Sequence, residues 1–300
     1  MLPTTPTNNP RKSDARGSGF LQWLKELHAR PILRLATLRA LTSHWPEYLI
    51  EAWGMGMLLW VSAMIAGWVE PRFRLVWPTL AWHGLEAIAT ALTIVIIVYS
   101  PWGRRSGAHF NPALTVTFLA LNRIAIWDAV LYSAFQVVGA VIGFLVAGLI
   151  LGAALREPPV TWIVTRPGRF GVWPAFFAEF VVAFIFMRTL LWMGGRAAVM
   201  QLTGVFAGAL AFLCVCFEKP VSGFSINPAR SFASAVASGQ WTAFWIYLVA
   251  PPAGMLAAAW IAQFQANTPM LLCAKLVHSD NKRCIHCGHV PRRTLTQSAP

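Results

Sequence analysis

Two asparagines, Asn111 and Asn227, stand in two copies of one polar phrase, SGAHFNPALTVTF at Ser106–Phe118 and SGFSINPARSFAS at Ser222–Ser234. Each copy reads Ser-Gly, three residues, then Asn-Pro-Ala, so Pro112 and Ala113 match Pro228 and Ala229. Asn is among the best helix N-caps and Pro is favoured at the first helical position, so each phrase predicts a helix start. Such a tip gathers unpaired backbone N–H groups and the positive end of the peptide dipole. A second cluster lies near the C-terminus, where CAKLVHSDNKRCIHCGH carries Cys273, His278, Cys284, Cys287 and His289, with His286 among them. Cys-x-x-Cys with neighbouring His is a spacing that zinc accepts, and the alternative is a reduced, solvated tail without metal. Gly288 after Cys287 rules out a haem-attachment motif. The sequence offers no nucleophile–base pair, phosphate loop or metalloprotease motif, which argues against an enzyme.

The elements that must carry these residues are membrane spans. The chain has 300 residues, 57% apolar and 12% charged, about half the charged fraction usual in soluble domains. Six segments are apolar and long enough to cross a bilayer: about 48–69, 79–100, 129–155, 172–192, 197–217 and 241–264. The net charge of +13 does not indicate nucleic acid, because seven basic residues precede Glu47, beside the amphipathic stretch Gly19–His44. That stretch reads as a lipid-surface helix, or alternatively as part of a transit peptide. Three domains follow: a basic segment over 1–46, a membrane domain over 47–264 with repeats at about 47–155 and 172–264, and a Cys/His-containing tail over 265–300. Of the 24 Lys and Arg, 17 fall on the side of the two tails and 7 on the other. The positive-inside rule then puts both termini in the cytoplasm, of a plasma or cytoplasmic membrane.

The repeated phrases follow the second and fifth spans, so they lie on opposite sides of the bilayer. Two halves of three spans each are therefore inverted relative to one another. Each predicted helix, from Pro112 to about Asn122 and from Pro228 to about Gln240, is only about half a bilayer long. Two half-helices entering from opposite faces bring their N-termini together near the midplane. Irregular backbone at that depth must be buried in protein or line a watery path, so the two phrases read as walls of one pore.

Over about Tyr48–Phe264 the chain resembles the major intrinsic proteins, the aquaporin and glycerol-facilitator family, in SGAHFNPA, GFSINPARS, the spacing of six spans, and Glu51 and Glu179. The resemblance implies an all-α membrane fold of six transmembrane helices plus two re-entrant half-helices, assembled as a homotetramer in the lipid bilayer. It implies that Asn111 and Asn227 donate hydrogen bonds to permeating solutes, and that Glu51 and Glu179 hold loop backbone. Arg230 matches the family's filter arginine, with Val215 and Phe224 at two further filter positions. On the second helix, alignment through VYS selects Thr90 and an ungapped count selects Ala91. His109 either lines the path or is a packed loop histidine bonded to backbone. Val215 and a small second-helix residue replace the His and bulky aromatic of water-selective members, which implies passage of water plus small uncharged solutes of the glycerol kind. Other markers pull both ways, since Ser231 and Tyr247 are water-like and Leu248 is glycerol-like. Two other classes remain: an ion-coupled secondary transporter, which would use Glu51, Glu179 and Glu86, and a membrane-anchored metal sensor with a vestigial pore.

Overall fold

The computed structural model describes residues 30–73, 79–265, 271, 273–278 and 283–289. The chain divides into two units, Met1–Ser43 and His44–Pro300. Residues 19–29 of the expected surface helix lie outside the described residues. From Arg30 the chain is helical through to Phe73, so the expected 46/47 boundary falls inside one helix, α1.

Among the described residues there is no strand, and six helices are long and apolar enough to cross a membrane. After α1 come α2 (Thr79–Tyr99), the short α3 (Pro112–Ala120) and α4 (Ile126–Leu151). The second half supplies α5 (Val172–Gly194), α6 (Thr203–Leu213), the short α7 (Pro228–Ser238) and α8 (Trp245–Phe264). The span ends shift from expectation for local reasons. α4 starts at Ile126, three residues earlier than composition suggested, with extended Ala125 at its N-cap and Asp128 in its first turn. It stops at Gly152, whose φ of 56° is costly for residues other than glycine. The fifth span is displaced towards the C-terminus because Ala197–Met200 coils as a separate turn before Thr203. Beyond Leu213 it continues through a π-helical turn, Cys214–Glu218, and a last turn, Lys219–Ser222.

α3 and α7 have nine and eleven residues, half-span lengths, and they exchange partners between the repeats. α3 packs against α8 of the second half, and α7 against α4 of the first. Small residues let the long helices close on one another, the usual device where lipid offers no hydrophobic drive. A Cβ on Gly139 of α4 would lie 2.0 Å from the Ala52 carbonyl oxygen of α1, and one on Gly254 of α8 would lie 2.3 Å from the Phe180 carbonyl oxygen of α5. Gly139→Val should therefore push α1 from α4 at a cost of about 3 kcal/mol. The check is a melting curve of the purified variant in detergent, where an unchanged midpoint would contradict this packing.

Candidate functional site

The loop preceding each half-helix has the same construction, residue for residue. Gly103–Ser106 and Lys219–Ser222 are matching single turns, each closed by a left-handed glycine, Gly107 and Gly223. The residues that follow repeat the pattern with non-glycine side chains: Ala108 and Phe110 have φ of 58° and 45°, Phe224 and Ile226 of 50° and 49°. Left-handed backbone at four such positions costs energy and persists only where surrounding contacts dictate it.

Those contacts come from the two buried acids. Glu51 accepts hydrogen bonds from Ser106 Oγ (2.7 Å), the His109 and Phe110 backbone N–H groups (3.2 and 2.7 Å) and Gln136 Nε2 (2.8 Å). Glu179 accepts from Ser222 Oγ (2.6 Å) and from the Ser225 and Ile226 N–H groups (both 2.7 Å). Tyr132 and Tyr247 complete each loop, donating to the Ser106 and Ser222 carbonyls at 2.7 and 2.5 Å. Buried carboxylates and buried loop N–H groups each need partners, and here they satisfy one another.

The asparagines do two jobs at once. Asn111 Oδ1 accepts from Ala113 N at 2.9 Å and Asn227 Oδ1 from Ala229 N at 3.0 Å, so both are true N-caps. Their Nδ2 atoms cross between the halves: Asn111 donates to the Ile226 carbonyl at 2.8 Å and Asn227 to the Phe110 carbonyl at 2.7 Å. An amide NH2 carries two hydrogens: the second of Asn227 meets Met55 Sδ at 3.4 Å, a weak acceptor, and Asn111 keeps one beyond this tie. Both asparagines line a single cavity of about 130 Å³, together with His109, Thr90, Phe224 and Arg230.

The filter residues divide between cavity and cap. Val215, on the π-helical turn, is not among the lining residues; it is buried in one cluster with Ala87 of α2, and Phe224 packs against that cluster. Thr90 lines the cavity one turn deeper, its hydroxyl 3.5 Å from Ser62 Oγ, and Ala91 is not among the lining residues. Thr90, the residue selected by alignment through VYS, thus shares the cavity wall with Phe224 and Arg230, while Ala87 is buried with Val215. Arg230 keeps Nη1 enclosed and without a hydrogen-bond partner among the described residues.

At the other end the tail meets the cavity. His109 Nε2 donates to the Ala274 carbonyl at 2.7 Å while its Nδ1 lies 3.1 Å from Thr115 Oγ1, so it is both a packed loop histidine and a lining residue. Leu276 donates its N–H to the Gly107 carbonyl at 3.1 Å and lines the cavity floor. His286 stacks on His109 with ring centres 5.7 Å apart and donates Nε2–H to the Ser106 carbonyl at 3.0 Å. Burial, then the charge of His109, holds His286 down to about 4, so its ring is neutral.

Four of the five expected metal ligands come together. The ligand atoms of Cys273, His278, Cys284 and Cys287 all lie within 4.8 Å of one another. His289 stays outside the set and packs its ring edge-on against His278, while its carbonyl accepts from Cys284 N at 2.9 Å. Cys273 Sγ and Cys284 Sγ lie 3.3 Å apart and share one thiol hydrogen. Sharing that hydrogen draws Cys284 below the usual thiol range, with further help from the Cys287 N–H and the Lys275 charge, and pushes Cys273 above it.

Residues 40–262 match the sequence profile of the family described as Major intrinsic protein. The chain is 31% identical over 191 residues to probable aquaporin NIP4-2 of Arabidopsis thaliana, covering 63% of this chain and 65% of that one. It is 34% identical over 175 residues to aquaporin NIP1-1 of Oryza sativa subsp. japonica, covering 58% and 60%. These likenesses span less than two thirds of the relatives' own length. Among solved structures, the aquaglyceroporin from Plasmodium falciparum superimposes with a TM-score of 0.59 at 18% identity, over 74% of this chain and 96% of that one, a likeness of fold.

Proposed function

The chain belongs to the major intrinsic protein family, and on that footing we propose that it is a passive channel for water and small uncharged solutes. The observation that carries this reading is the single cavity lined by both N-cap asparagines and by Arg230. Two half-helix tips aim their positive ends at one point, so a file of waters must reverse its hydrogen-bond direction there and a travelling charge is penalised. Hydrogen-bonding neutral molecules meet instead the spare amide hydrogen of Asn111 and the Asn227 hydrogen that otherwise faces only the weak sulfur acceptor of Met55. The similar structure is named an aquaglyceroporin, which suits a cavity walled by the small Thr90 and the aromatic Phe224, against which a carbon skeleton can pass.

The excess of basic residues on the tail side supports cytoplasmic termini. Large apolar side chains such as Leu149, Ile150 and Phe177 lie exposed on the outer flanks of α4 and α5, as lipid or a sister subunit of a homotetramer would require. Stopped-flow light scattering on proteoliposomes of the purified protein tests the channel. Rapid shrinkage in an osmotic step and downhill entry of glycerol are expected, with no uphill uptake under a proton gradient. Water flux without glycerol or urea entry would remove the neutral-solute half, and no flux in any state of the protein would remove the channel itself.

A further inference from the structure

The tail carries the least expected chemistry in the molecule. Residues 273–277 are buried although they lie outside every span: Cys273 is 6%, Ala274 0%, Lys275 3%, Leu276 6% and Val277 2% exposed. They dock on the inner loop through backbone, with the Leu276 N–H on the Gly107 carbonyl and the Ala274 carbonyl on His109. Lys275 Nζ reaches the Arg104 carbonyl at 3.0 Å, and His286 reaches the Ser106 carbonyl. Leu276 thereby stands in the floor of the same cavity that Asn111 and Asn227 line. The segment has no helix or strand of its own, so these few bonds and its burial must offset about 1–2 kcal/mol of backbone entropy for each ordered residue.

The four clustered ligands bracket this segment. Cys273 and His278 flank it directly, and Cys284 and Cys287 close the loop from beyond. Three sulfurs and one imidazole nitrogen form a Cys3His donor set, which zinc takes tetrahedrally with Zn–S of about 2.3 Å and ligand atoms about 3.8 Å apart. The observed separations straddle that edge, with Cys273 Sγ to Cys284 Sγ and His278 Nε2 to Cys287 Sγ both at 3.3 Å and no ligand pair beyond 4.8 Å. The positive charge of Lys275 lies near enough to favour the Cys284 thiolate. A metal here would cross-link residues 273 and 278 to 284 and 287, making a rigid loop of the segment that fills the inner mouth.

We propose that Cys273, His278, Cys284 and Cys287 bind one zinc-type ion and that the ion locks Leu276 and its neighbours as a plug across the inner mouth of the pore. Metal-bound protein is closed and metal-free protein is open. This regulation rests on the channel reading above, and the test separates the two. Full-length protein, kept reduced, is loaded with zinc chloride, assayed for bound metal, and measured for water flux in proteoliposomes before and after chelation. The expected result is about one zinc per chain, with cobalt substitution giving a thiolate-to-metal absorption band. Water flux rises several-fold when the ion is removed and falls again on reloading. Cys287→Ser, at an exposed position that folding does not depend on, loses at least about tenfold in zinc affinity and conducts whether or not zinc is supplied. Leu276→Ala keeps the ion and conducts with it bound.

Substoichiometric zinc with normal flux would overturn the metal site and leave the channel standing. Full zinc with flux indifferent to chelation would overturn the plug. A Cys273–Cys284 disulfide in freshly reduced and purified protein, found by mass spectrometry in place of metal, would also overturn the site. No flux from any form, chelated and Cys287→Ser protein included, would sink the channel reading and the regulation with it.

Discussion

Replacing Glu51 with Ala is expected to leave almost no monodisperse protein in detergent and no water flux from what remains, with Glu179→Ala close behind. Glu51 answers four buried donors: the Ser106 hydroxyl, the His109 and Phe110 N–H groups and the Gln136 amide. Each buried donor left without an acceptor costs about 1–3 kcal/mol, so the loss rivals the whole margin of about 5–15 kcal/mol that keeps a domain folded. The damage is local before it is global. Without the carboxylate nothing holds Phe110 at its positive φ, and the Phe110 carbonyl is the acceptor for Asn227. Glu51→Gln should fall between, since it keeps one oxygen and turns an N–H towards donors that need acceptors. Size-exclusion profiles with flux measurements rank the three proteins. A Glu51→Ala variant that is well folded and conducts at the normal rate would refute this account of the loop.

Ala87→Trp is the second large effect. It should cut entry of glycerol-sized solutes by at least about tenfold while reducing water flux less, because pore width selects among neutral solutes before it stops water. Ala87 is buried with Val215 in the cluster on which Phe224 packs, and Phe224 lines the cavity, so a large side chain there pushes the Phe224 ring into the path. Phe224→Ala is the converse, and should raise neutral-solute entry. Overpacking costs about 1–3 kcal/mol, so the melting temperature of the Trp variant has to accompany the flux data. If Ala87→Trp folds and leaves glycerol and water entry unchanged, the constriction lies elsewhere. The same substitution at Thr90 then becomes the informative one, since Thr90 lines the cavity one turn deeper.

The parts of the molecule that are written locally were readable from the sequence. Asn-Pro-Ala announces a capped helix start wherever it occurs, and two copies placed after the second and fifth spans fix the inversion, so α3 and α7 came out at nearly the expected lengths. Glu51 and Glu179 were conspicuous as lone acids in apolar runs. What escaped depends on distances through space. Ala87 has no chemistry of its own and matters only because the π-helical turn carries Val215 to it. His286 sits inside a motif that looks metal-binding, yet its ring turns away to stack on His109. His289 was counted with the ligands on spacing alone, while the tail's turn at Cys284–Gly288 uses its carbonyl instead. No periodicity could show that the tail returns to the membrane domain, since residues 273–277 dock by backbone and form no regular element.

The amide ties between the halves also bear on how solute can cross. Asn111 is bonded to the Ile226 carbonyl and Asn227 to the Phe110 carbonyl, while each half-helix is wedged against the long helices of the opposite repeat. A carrier that exposes its site to one side and then the other must swing one repeat against its twin. Here that swing would snap both ties and unseat both wedges together. The centre of the molecule is thus riveted shut to rigid-body rocking, and whatever throttles the flow has to act at its two mouths.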